Sequence, residues 1–170
     1  MENVQLSDNF SLKELCKSDT ASRLNIDNIP TDEVTVENLK DVSINILQPI
    51  RDHFGIPFTP NSGYRSPDLN KAIGSSNKSQ HCKGEAVDIE IPTIDNSDLA
   101  LWVHNNLVYD QLILEFYTQG EPNSGWVHVS FKKDANRMQP LTYDGKNYSI
   151  GLSIWNKKNY KQNQNIMTMI

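Results

Sequence analysis

Two histidines and an aspartate set the chemistry open to this chain: His81, Asp88 and His128. His81 closes the polar stretch Ser79-Gln80-His81, and Asp88 follows seven positions later inside the apolar run Ala86 to Ile91. Side chains alternate along a strand, so Ala86, Asp88 and Glu90 share one face while Val87, Ile89 and Ile91 share the core face. A carboxylate in the middle of an apolar strand needs a partner, because burying it alone is costly. A metal ion is one suitable partner. Gly84 and Ala86 are small enough for the preceding loop to fold back and bring His81 to the same place.

Two later runs carry the remaining groups. In Gln111 to Phe116 the expected core face is Leu112, Leu114 and Phe116, which leaves Gln111, Ile113 and Glu115 opposite. In Trp126 to Phe131 it is Val127, Val129 and Phe131, which leaves Trp126, His128 and Ser130. If these strands pair, Glu115 comes near His128 across the sheet. Two histidines and one carboxylate are a ligand set for catalytic zinc, with a fourth position kept for water. A free glutamate beside them can act as general base. The spacing alone leaves two readings open: a zinc centre, or a structural histidine beside a solvated aspartate.

The elements that must position these groups are legible from periodicity. A short helix is expected from Ser11, whose hydroxyl caps it while Glu14 reaches back, and Asp19 to Thr31 reads as a polar connection. The main helix runs from about Thr35 to Phe54 on the stripe Val36, Leu39, Val42, Ile46, Leu47 and Ile50. Pro49 should kink or locally break it, and Gly55 should stop it. A turn-rich segment from Asn61 to Pro67 leads to a short helix over Asp68 to Ile73, and Ser97 is the expected cap of a further helix. Asp144-Gly145 marks a hairpin. Helices first and strands later give an α+β domain with a mostly antiparallel sheet flanked by helices. That domain is expected over residues 1–156, followed by a polar tail over residues 157–170.

Composition narrows the function classes. The 170 residues carry 16 basic and 21 acidic side chains, a formal charge of −5, so no basic face is available to track phosphates and no nucleic-acid partner is expected. No run approaches the roughly 18 apolar residues of a membrane span, so no membrane insertion is expected. The polar segment Met1 to Asn9 lacks the basic-then-apolar order of a secretory signal. Synthesis in the cytoplasm without a signal peptide is therefore expected, as a monomer. The two cysteines, Cys16 and Cys82, make neither a disulfide framework nor a paired zinc motif. His53 suits a helix C-terminus, His104 the polar side of its helix, Trp102 and Trp155 packing, and Glu85 and Glu90 solvated or supporting positions.

The segment Ser79-Gln80-His81-Cys82-Lys83-Gly84-Glu85-Ala86-Val87-Asp88-Ile89 resembles the signature of the zinc peptidases that include D-alanyl-D-alanine carboxypeptidases, D,D-dipeptidases and L-alanyl-D-glutamate endopeptidases, whose fold the Hedgehog signalling domain shares. Ser62-Gly63-Tyr64-Arg65-Ser66 resembles that family's upstream arginine loop, and Trp126-Val127-His128-Val129-Ser130 its second histidine strand. The likeness runs from about Phe10 to Ser130, and Arg137 to Gly151 looks like the tail of compact phage-encoded members. It implies a Zn2+ cofactor held by His81, Asp88 and His128. It also implies that Arg65 steadies a substrate carboxylate or oxyanion, and that Ser79 and Gln80, beside the first ligand, contact substrate or orient the site; Trp126, on the same face as His128, is expected to wall the substrate groove. Many relatives carry a glutamate three residues before the second histidine, where this chain has Gly125. Glu115 is the expected replacement as base, with Glu121 the runner-up.

The implied activity is hydrolysis of peptide bonds in bacterial peptidoglycan stem peptides or crosslinks, by an endolysin-like or virion-associated cell-wall hydrolase acting after release. Two other outcomes follow from the same resemblance: a catalytically silent zinc-binding protein of this fold, or a cytosolic D,D-dipeptidase.

Overall fold

The structure is a computed structural model that describes residues 4–153. The expected tail, the domain's last residues and Trp155 lie outside that range. Helices come first: α1 (Leu12–Leu15), α2 (Asp19–Leu24), α3 (Glu33–Val42), α4 (Gln48–Phe54) and α5 (Pro67–Ala72). Strand β1 (Ala86–Ile89) and helix α6 (Asn96–Asn106) follow, then β2 (Gln111–Glu115), β3 (Trp126–Ser130), β4 (Gln139–Tyr143) and β5 (Tyr148–Ile150). The strands form one sheet in the order β1-β3-β2-β4-β5, antiparallel except for the parallel β2–β4 pair. The expected α+β architecture is what the chain forms.

Register explains where the core lies. Val87 faces Val129, which faces Leu112, and Ile89 faces Val127, which faces Leu114. All six side chains are fully buried. Against them pack the stripe Leu39, Val42, Ile46, Leu47 and Ile50 and the α6 residues Leu99, Ala100 and Val103. Fully burying each such aliphatic side chain is worth about 1.5–3 kcal/mol.

Several local expectations are corrected. Residues 19–31 are not all connection: Ser18 caps α2 by accepting from the Ala21 N–H, and Asn25 ends it in the left-handed region. The Ser11–Glu14 capping box of α1 does form, with Glu14 reaching back to the Ser11 N–H at 2.9 Å and accepting from its hydroxyl at 2.7 Å. Asp95, not Ser97, caps α6. Phe116 leaves the core face, because its positive φ of 54° ends β2 and turns it out to 44% exposure. Pro49 is accommodated by a single wide π-turn over Ser43–Leu47, so that α3 and α4 continue one another rather than breaking apart.

Candidate metal centre

The face opposite the core carries the site. Asp88 on β1 lies directly across from His128 on β3, and Ile113 on β2 lies across from His128 on its other side. His81 arrives from a 3-10 turn, Gln80–Lys83, that ends at Gly84. Gly84 has φ 71°, and a Cβ there would sit 2.5 Å from the Thr35 carbonyl oxygen, so only glycine lets this turn lie against α3. His81, Asp88 and His128 are all buried and bring one donor atom each within 4.8 Å of the others.

The separations are tighter than that limit. His81 Nε2 is 3.2 Å from Asp88 Oδ1, His128 Nδ1 is 2.9 Å from the same oxygen, and the two ring nitrogens are 3.3 Å apart. Donors about 2.0–2.1 Å from a tetrahedral zinc ion stand roughly 3.3–3.4 Å from one another. The triangle therefore has the size of one face of such a coordination shell.

Protonation supports the same reading. His81 Nδ1 lies 2.7 Å from the Gly63 carbonyl oxygen, which can only accept, so the ring's proton is there and Nε2 is a lone pair. That lone pair faces a carboxylate oxygen, an arrangement that asks for a cation between them. Burial pushes His81 below the ordinary imidazole range despite the neighbouring Asp88, which keeps it neutral. Burial opposes charge on Asp88 as well, yet the polar groups around it outweigh burial and hold the carboxyl well below the usual carboxylate range. A neutral imidazole and an ionised carboxylate are the forms that bind metal. The residues present thus fit a zinc ion.

Arg65 donates from Nε to the Ser62 hydroxyl at 2.8 Å and from Nη2 to Asp88 Oδ2. It therefore grips the second oxygen of the aspartate whose first oxygen faces the histidines. Gln80 lies beside His128, while Ser79 precedes the 3-10 turn. Glu115 pairs across the ladder with Trp126, one diagonal step from His128, a spacing of about 7–8 Å in such sheets. Burial raises its pKa above the ordinary glutamate value, a shift that nearby His128 opposes. Trp126 is half-buried with its ring 5.0 Å from Phe116, forming a wall beside Glu115. Glu121 is exposed in the β2–β3 connection.

Gly125 has φ 65°, and a Cβ there would lie 1.8 Å from the Glu115 carbonyl oxygen. No side chain fits where many relatives are expected to place their glutamate.

The remaining groups have structural partners. Both cysteines are free. Trp102 stacks on His53 at 4.3 Å, His104 bonds the Tyr109 hydroxyl, and Asn61 bonds Glu90. One buried acid escaped the sequence reading: Asp110, fully inaccessible, which binds Arg137, Lys132 and Gln80. Its only sequence signal is position, immediately before β2, because its cationic partners lie more than twenty residues downstream.

A sheet face carrying Asp88, His128 and the diagonal Glu115, to which a 3-10 turn brings His81, is suited to a metal centre of the kind zinc peptidases use. The Peptidase M15 family model matches residues 8–130, and the chain belongs to that family. A search of curated proteins finds no match to the chain. Among the described residues no helix is long and apolar enough to cross a membrane.

Proposed function

We propose that this protein is a zinc-dependent peptidase that hydrolyses peptide bonds of bacterial peptidoglycan, in the manner of an endolysin or a virion-associated cell-wall hydrolase. The observation that carries the zinc chemistry is the donor triangle of His81, Asp88 and His128, with edges of 2.9 to 3.3 Å. Membership of the M15 family supports peptide hydrolysis. The wall substrate rests on the likeness of the His81–Asp88 segment to enzymes that cut wall peptides.

In this reading His81 Nε2, Asp88 Oδ1 and His128 Nδ1 hold the ion. Zinc bound there supplies Lewis-acid polarisation of the scissile carbonyl and acidifies water. Glu115 takes the proton from the attacking water and returns it to the leaving amine, a role suited to a carboxyl whose pKa is raised by burial. Arg65 keeps Asp88 oriented through Nη2, and in this reading its remaining N–H groups meet a substrate carboxylate or oxyanion. Trp126 and Phe116 wall one side of the cleft.

Incubation with purified peptidoglycan, with and without a chelator, tests the proposal. Mass analysis should show peptide-bond cleavage products that vanish with chelator and return with added zinc. Tight zinc binding without any released fragment would instead favour a silent zinc-binding protein. Cleavage confined to free D,D-dipeptides would favour the dipeptidase.

A further inference from the structure

A carboxylate with no exposed surface sits behind the metal site. Asp110 immediately precedes β2, where its backbone N–H donates to the Ser130 carbonyl at 2.7 Å and its own carbonyl accepts from the Gln139 N–H at 3.1 Å. It is thus fixed at the junction of β2, β3 and β4. Arg137 grips both of its oxygens, from Nε at 2.7 Å and from Nη2 at 2.6 Å, and Lys132 Nζ lies 3.3 Å away. Two cations would satisfy this charge without help, yet Oδ2 also accepts from Gln80 Nε2 at 2.8 Å.

That last contact has a directional consequence. A carboxylate held by cations can only accept, so the Gln80 amide must present its nitrogen to Asp110 and its oxygen to the other side. On that side lies His128, whose Nε2 is 3.5 Å from Gln80 Oε1, at the outer limit of a hydrogen bond. An amide oxygen can only accept, so it selects the ring form with the proton on Nε2. Nδ1, the atom 2.9 Å from Asp88, is then the lone pair.

We infer that Asp110, clamped by Arg137 and Lys132, is a positioning residue of the metal centre, locking the Gln80 amide so that its oxygen receives the His128 Nε2 proton and His128 Nδ1 is presented to zinc. The inference rests on the zinc reading above. It also gives Gln80 an orienting task in place of direct substrate contact. Both cations of the clamp lie just beyond the span matched by the family model, which ends at residue 130.

The test is made on zinc-loaded, 15N-histidine-labelled protein, by chelator competition for zinc affinity and by exchange of the two imidazole N–H protons. Gln80→Leu and Asp110→Asn should each weaken zinc by about 10–100-fold, the usual cost of losing a ligand's hydrogen-bond partner. Both should speed exchange at His128 Nε2–H and leave His81 Nδ1–H, bonded to Gly63, unchanged.

Unchanged affinity and exchange in Gln80→Leu overturns the inference. So does an equal change at both histidines, which would mean general loosening. If Asp110→Asn fails to fold, Gln80→Leu, on a half-buried side chain, decides alone. Wild-type protein that takes up no zinc refutes the metal reading itself, an outcome distinct from unchanged variants of a zinc-binding wild type.

Discussion

At the scale of single residues, the site separates groups that hold a metal from one that moves a proton. His81→Ala and His128→Ala each remove one of three protein donors and should largely abolish zinc content, measured by metal analysis of purified protein. Glu115→Gln keeps the shape and loses only the proton acceptor. It should retain zinc and lose about 10²–10⁴-fold in rate. Glu121→Gln, at an exposed connection, should be near neutral; an inactive Glu121→Gln beside an active Glu115→Gln would move the base to the connection. Strand alternation made Asp88, His128 and Glu115 legible as one face, since each lies between residues that only a core would take. The contact of Arg65 with Asp88 was not legible, because it depends on the Ser62 and Asp88 backbones bridging. Asp110 was hidden for the same reason: its partners are brought to it by tertiary packing.

At the scale of elements, the β2–β3 connection decides where a catalytic carboxylate can stand. Its closing turn brings position 125 against the Glu115 backbone in a left-handed conformation that only glycine accepts. The same turn places Glu115 opposite Trp126 and diagonal to His128. The departure at Gly125 and the use of Glu115 are therefore two aspects of one geometry. Gly125→Glu should not supply a second base. It should destabilise the fold by about 1–3 kcal/mol from backbone strain alone, with more from the 1.8 Å clash. Denaturant unfolding at unchanged slope measures this. If Gly125→Glu is stable and restores activity to Glu115→Gln, the connection can be rebuilt and the steric argument fails. Long amphipathic elements were readable from sequence because α3, α4 and the central strands carry strong periodicity. Helix α2 was missed because its six residues bury only Ala21, leaving the Ser18 cap and the Asn25 stop as its signals. The parallel pairing of β4 beside β2 was missed because strand order depends on a connection from β3 that crosses over β2, which no local pattern encodes.

At the scale of the whole molecule, His81 and His104 at higher pH and Asp88 and Asp110 at lower pH make the metal-free protein sensitive to acid in two stages. His81 and His104 both have pKa values depressed from 6.5 by burial. The unfolded chain therefore takes up protons first as pH falls. The stability from keeping these rings neutral is full above about 6.5 and is lost below it. Asp110 acts lower. Burial pushes its carboxyl up, but the Arg137 and Lys132 hydrogen bonds outweigh that and set it at about 2, against 3.8 for the free side chain. Its contribution is full above 3.8 and disappears as pH falls toward 2. The urea midpoint of chelator-treated protein should accordingly fall between pH 7.5 and 5, then fall again below pH 4. His81→Gln and His104→Gln should each flatten the upper stage and leave the lower one. Arg137→Met should weaken the lower stage by letting the Asp110 pKa rise toward its unfolded value. A wild-type midpoint that is level from pH 7.5 to 5 would show that neither ring is held neutral by the fold. A lower stage unaltered by Arg137→Met would mean that the clamp does not set the charge on Asp110.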